Sequence, residues 1–130
     1  MTLEGEIHAL WASDSPLAAL LPVGRLFTGE ARGNPALPYA VLQRGPAKIV
    51  SRTNAGSRIE EVNIQFHVWS ARLEQAKQIV QELVRVFDQA TFSFDGSTVL
   101  DFRRTKSSEQ SFPDGVWEFA CEYSALVRVG

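Results

Sequence analysis

Residues 58–69 read RIEEVNIQFHVW, and the rest of the chain is understood outward from them. Val62, Ile64, Phe66 and Val68 alternate with Asn63, Gln65, His67 and Trp69. A period of two is the signature of a strand with one apolar and one polar face. Immediately afterwards the period changes. Leu73, Ala76, Val80, Leu83 and Phe87 fall along one helical stripe, broadened by Ile79 and Val84, while Lys77, Gln78, Gln81, Glu82 and Arg85 fall elsewhere. The spacing predicts an amphipathic helix over about 71–88, with Ser70 as its N-cap, lying on a sheet that contains 58–69.

The flanking segments extend the pattern. Leu3, Ile7, Leu10 and Trp11 have helical spacing over 3–13. Asp14-Ser15-Pro16 interrupts that helix, and Pro16 starts a further short turn of helix. Residues 24–29, bounded by glycines, read as a short strand. Pro38 opens a second strand over 39–44, stopped by Gly45-Pro46. Residues 47–57 have Ile49-Val50 as their only bulky apolar pair, so they read as a long hairpin arm or flexible loop. Residues 91–94 are extended, Asp95-Gly96 is a hairpin turn, and 97–105 is a strand. A polar segment from Arg103 runs to a turn at Pro113-Asp114-Gly115. The last strand, 116–129, places Trp117, Phe119, Cys121, Tyr123, Ala125, Val127 and Val129 on one face. The order predicts an α+β fold for a single domain over residues 1–130. It has a mostly antiparallel sheet, two helices packed on one face and a long β-hairpin arm, with a flexible basic loop at about 46–57.

The composition fits. The chain has 130 residues, 45% hydrophobic and 22% charged, which excludes a disordered or collagenous chain. A domain of this size buries about two-thirds of the surface its unfolded chain exposes, so no disulfide or metal is required for folding. Cys121 is the lone cysteine, and with His8 and His67 it cannot complete a structural zinc site. The longest apolar run, 17–23, is interrupted by Pro22 and too short to cross a bilayer. Glu4 and Glu6 stand where a secretory signal has basic residues. A soluble cytoplasmic protein without a membrane partner is expected.

The net charge is −2, too small to drive general attraction to nucleic acid. Its distribution is uneven. Residues 25–58 hold six basic residues (Arg25, Arg32, Arg44, Lys48, Arg52, Arg58) and one acid (Glu30), a net of +5, and the remainder is −7. Separated charge suits docking on copies of the same chain or on an anionic partner, and equally a solvated surface.

Chemistry is sparse. Neither GxGxxG nor GxxxxGK[ST] occurs, so no phosphate-binding loop is expected, and no GxSxG nucleophile elbow is present. Cys121 lies mid-strand on the apolar face, the place of a structural thiol. His67 lies on the polar face of its strand without a nucleophile nearby in sequence. Glu60-Glu61 point to opposite faces, and Glu118 and Glu122 are too far apart along one strand to act as a pair. No catalytic, cofactor or metal residues are expected. The loop with Lys48, Arg52 and Arg58 lacks the interleaved aromatics of single-strand platforms.

The stretches SDSPLAALLPVGRLFTG, NPALPYAVLQ, EEVNIQFHVWS and FDGSTVLDF, in that order, resemble the tail-completion or tail-terminator proteins of long-tailed phages and prophages. The resemblance spans nearly the whole chain. Its motif positions are Leu37, Pro38, Tyr39, Val68, Trp69 and Ser70, which read as architectural. It implies a non-enzymatic structural protein that forms a homo-oligomeric ring, commonly hexameric. The ring would cap the tail tube and join it to the head connector, with the tail-tube and connector proteins as partners. It also implies a passage through the host bacterial cytoplasm before incorporation in the virion tail, and no cofactor. Lys48, Arg52 and Arg58 are the expected oligomer or partner contacts, with non-specific DNA contact in the channel as a further use. The competing readings are another neck protein of the same fold, a non-specific DNA-binding module, and a small enzyme built on His67.

Overall fold

A computed structural model of the chain describes residues 2–130. Helix α1 is Leu3–Ser13; the Thr2 hydroxyl caps it by accepting from the Gly5 N–H at 3.0 Å. Asp14 ends α1 and caps α2, Ser15–Leu20, accepting from the Leu17 N–H at 3.0 Å. The six strands are β1 Leu26–Thr28, β2 Tyr39–Arg52, β3 Arg58–Ser70, β4 Phe92–Phe94, β5 Ser97–Ser111 and β6 Trp117–Val129. Helix α3, Leu73–Phe87, sits between β3 and β4 in sequence. The sheet order is β1-β2-β3-β6-β5-β4. All pairs are antiparallel except β1 with β2. The α+β architecture is the one expected, with the helices on one face.

The alternation in β3 and β6 does what it predicts. Val62, Ile64, Phe66 and Val68 are buried toward the helices, as are Cys121, Tyr123, Ala125 and Val127. They meet Ala76, Ile79, Leu83 and Phe87 of α3 and Leu3, Ile7 and Trp11 of α1. A chain of rings runs through this core: Trp11 to Phe66 at 6.3 Å, Phe66 to Phe87 at 5.0 Å, Phe87 to Phe102 at 5.9 Å and Phe102 to Tyr123 at 4.8 Å. Tilted and edge-on rings at these separations add to plain area burial.

Three local expectations are corrected. Gly45-Pro46 does not stop β2: the chain absorbs the proline in a bulge between Arg44 and Ala47 and pairs with β3 as far as Arg52. Residues 46–52 are thus strand, and only 53–57 form the connection. The polar segment after Arg103 is likewise strand: β5 continues to Ser111, laddered against β6. Ser70 is not the N-cap of α3. It is the last inward position of β3, fully buried, so two more residues are needed before the helix can begin. Its hydroxyl accepts from the Arg72 N–H and donates to Gln75 Oε1, holding the turn. The mostly antiparallel sheet is as expected, with β1 pairing in parallel with β2 because residues 29–38 carry the chain back before β2 starts.

The Arg44/Ala47 bulge of β2 and one in β5 between Arg104 and Lys106 lie at the same level of the sheet, linked through Ile64 and Tyr123, and each strand has a further irregularity, at Ile49/Ser51 and Val99/Asp101. Bulges bend strands, and the sheet curls. Its helix-free face carries a hollow of about 320 Å³ lined by Lys48, Glu61, Asn63, Thr105 and Glu122, among others.

Candidate assembly surface

The three expected contact residues lie on the hairpin made by the far halves of β2 and β3. They are not equivalent. Lys48 lies 3.7 Å from Glu61 Oε1, and Arg58 lies 2.5 Å from Glu60 Oε2. Arg52 is opposite Arg58 in the ladder, exposed, and in no ion pair among the described residues. The charge count over 25–58 stops just short of these acids. Extending it to residue 61 adds Glu60 and Glu61 and lowers the local net charge from +5 to +3. Exposed pairs of this kind are worth about 0–1 kcal/mol each, so they mask charge more than they fix structure.

The motif residues Leu37, Pro38, Tyr39, Val68, Trp69 and Ser70 converge, although thirty positions separate the two groups. Tyr39 pairs with Trp69 and Ala40 with Val68 across β2 and β3. The Tyr39 and Trp69 rings are 5.2 Å apart, and Phe27 of β1 meets Tyr39 edge-on at 6.2 Å. The Leu37–Pro38 peptide is cis. The Arg25 guanidinium ties this entry down by donating to the Pro38 and Ala36 carbonyls. One corner of the helix-free face is therefore aromatic, with Val41 buried beneath the rings.

His67 lies beside this corner. It stacks on Trp69 at 5.7 Å, meets Gln65 Oε1 at 3.2 Å and faces Glu118 Oε2 at 3.4 Å. The fold thus gives it a carboxylate that sequence spacing does not reveal. None of these partners is a nucleophile. Glu122 is turned away, accepting from the Asn63 amide at 2.8 Å. His8 contacts the Thr28 hydroxyl at 2.9 Å, and burial lowers its pKa against a smaller opposing pull from Glu4. Burial raises the Cys121 thiol, with a smaller lowering from a Ser107 hydrogen bond. Among the described residues no group of three or more His, Cys, Asp or Glu is placed to hold a metal ion. No described helix is long and apolar enough to cross a membrane.

What sequence reading missed is the second half of β5. Residues 103–111 are exposed throughout, yet fully laddered to β6. Arg103, Arg104 and Lys106 stand there as a second basic group, of which Arg104 lies 3.4 Å from Asp88. A strand with neither face buried carries no period-two signal. The signal that remained was the pair of turn sequences, Asp95-Gly96 and Pro113-Asp114-Gly115, spaced for one long strand between them.

Comparison with known proteins adds two findings. The family model described as "Tail completion protein gp17" matches residues 5–128. A chain from a solved structure, "Virion of native gene transfer agent (GTA) particle", superimposes with a TM-score of 0.79 at 15% identity, covering 98% of this chain and 95% of that one. At that identity the likeness shows a shared fold. No curated protein matches the chain by sequence.

Proposed function

The chain belongs to the tail completion protein gp17 family, and from that premise we propose that it is a tail terminator: a homo-oligomeric ring, hexameric, that caps the tail tube and joins it to the head connector. A structural role in tail assembly is the part the family itself carries, and the match over nearly the whole chain is the single observation behind the reading. The arrangement of the surface is consistent with it. The apolar residues of β3, β6 and α3 are spent on the core, and what remains for partners is exposed strand, a polar concave face and an aromatic corner. The role proposed needs only binding. DNA passing through such a ring would meet isolated cations such as Arg52, which gives sequence-independent contact that weakens with salt.

Purified tail-tube protein polymerised in the presence and absence of this chain tests the role. The expected result is tubes of bounded length with the chain found only at one end. Unchanged tube growth, with no chain retained on the tubes, would refute it.

A further inference from the structure

The two outer edges of the sheet are each only partly covered. On one side, β1 pairs with β2 at Ala40, Val41 and Leu42, leaving 43–52 with no neighbour on its outer edge. On the other, β4 pairs with β5 at Ser97, Thr98 and Val99 and the Gln89 N–H donates to the Phe102 carbonyl at 2.8 Å, leaving 103–111 bare. Natural proteins rarely leave long edges open, because unpaired N–H and C=O groups recruit another strand. Here two open edges of similar length occur at diagonally opposite corners of one sheet.

Resting on the ring reading above, we propose that the bare edge of β2 in one copy pairs with the bare edge of β5 in the next, so that successive copies share one continuous sheet. Three features on the two edges commit the occupant to a second copy of this chain. The first is direction. Following the ladder from β2 through β3 and β6 to β5, β5 runs opposite to β2, so a neighbour placed by rotation alone presents β5 antiparallel to β2. The second is register. Strand β1 occupies the edge of β2 up to Leu42, and β4 with Gln89 occupies the edge of β5 up to Phe102. A neighbour that avoids both stops has Gln43 near Gln110 and Ser51 near Arg103. The third is charge. Within that register Arg44, which also meets Glu4 of its own α1 at 3.3 Å, falls opposite Glu109, both on the helix-bearing side of the sheet, cation against anion.

The contact joins two different surfaces, so it propagates head-to-tail and closes when rotation permits. It also offsets each copy by about half a strand, and tilt with stagger is what a closed sheet requires. Pro46 has no N–H and marks the one gap in the new ladder. Ile49 and Val50, the exposed apolar pair of the arm, lie in the middle of the buried stretch.

The pairing is tested with the full chain carrying Arg44→Cys and Glu109→Cys together. Opposed residues of an antiparallel pair lie within disulfide range, while within one copy these positions are on opposite edges of the sheet. Oxidised samples, with and without tail-tube protein, are compared on non-reducing gels and by native mass spectrometry. Expected is a covalent series extending beyond dimer in the double variant, absent from either single variant and abolished by reductant. A discrete closed oligomer that still separates into monomers on the gel would overturn the edge pairing while leaving the ring. A chain that remains monomeric and uncross-linked under every condition, including on the tube, would overturn both.

Discussion

At the scale of single residues, two buried polar contacts are worth testing because burial makes their loss costly. The Trp11 indole N–H donates to the Leu21 carbonyl at 2.8 Å inside the core, pinning the end of α2 to α1. Trp11→Phe keeps most of the ring but strands that carbonyl, an expected loss of about 1–3 kcal/mol. Trp11→Ala is expected to cost about 3–5 kcal/mol, both read from urea unfolding. The Tyr123 hydroxyl donates to Asp88 Oδ1 at 2.5 Å. Burial, reinforced by the Asp88 hydrogen bond and charge, raises the phenol's pKa strongly. The folded state therefore holds the proton more tightly than the unfolded chain does, so the stabilisation is complete below about pH 10 and is lost progressively above it. A stability–pH profile should fall on that alkaline side in the native chain and fall less steeply in Tyr123→Phe. Equal slopes would show that Tyr123 is not the group responsible.

At the scale of elements, the caps and bulges set where chain direction changes. Asp14 accepts from the Leu17 N–H and meets Arg85 of α3 at 2.6 Å. Its carboxyl is held below its ordinary pKa, first by that backbone bond and then by Arg85. Asp14→Ala is expected to cost about 1 kcal/mol near neutral pH. Because the folded pKa is depressed, the native chain enjoys that stabilisation above about pH 4 and loses it as the pH falls through the folded value. The difference between native and variant should therefore shrink in acid, which chemical denaturation at several pH values measures. Gly45 sits at the β2 bulge, where an added Cβ would lie 2.5 Å from Asn63 Oδ1 and 3.0 Å from Asn63 Cβ. Gly45→Ala is expected to destabilise by about 1–3 kcal/mol through crowding, although Gly45 is only half-buried. These elements also show what the sequence makes legible. Strands β3 and β6 and helix α3 are readable because each has one buried face, which writes a period of 2 or 3.6 into the residues. The outer halves of β2 and β5 are held by backbone pairing and a few exposed polar contacts, such as Lys48 with Glu61 and Gln110 with Glu118, so no buried face writes a period of two into them. The position of Ser70 fails for a related reason: a serine before a helix looks like a cap whether it caps or is buried at the end of a strand.

At the scale of the whole molecule, the core fixes a sheet whose ends and edges are left over for partners. The expected contact residues Lys48, Arg52 and Arg58 share one hairpin, but two of them are already paired, and the basic stretch ends two residues before a neutralising acid, Glu60. The second exposed edge, with Arg103 and Lys106, carries no period-two signal. Reversing Lys48, Arg52 and Arg58 together to Glu removes one exposed and one half-buried ion pair and should leave the monomer's circular dichroism unchanged and its unfolding midpoint only slightly lowered. It should still weaken self-association or docking, measured by sedimentation; unaltered association would remove the hairpin from the contact surface. A tail terminator of the kind proposed must close into a ring. Native mass spectrometry of the unmodified protein across concentration, with tail-tube protein added in a parallel series, tests it most directly. One discrete closed species, six copies in mass, is expected, appearing alone or on the tube. Open-ended series of increasing mass, or a monomer that ignores the tube at every concentration, would contradict it.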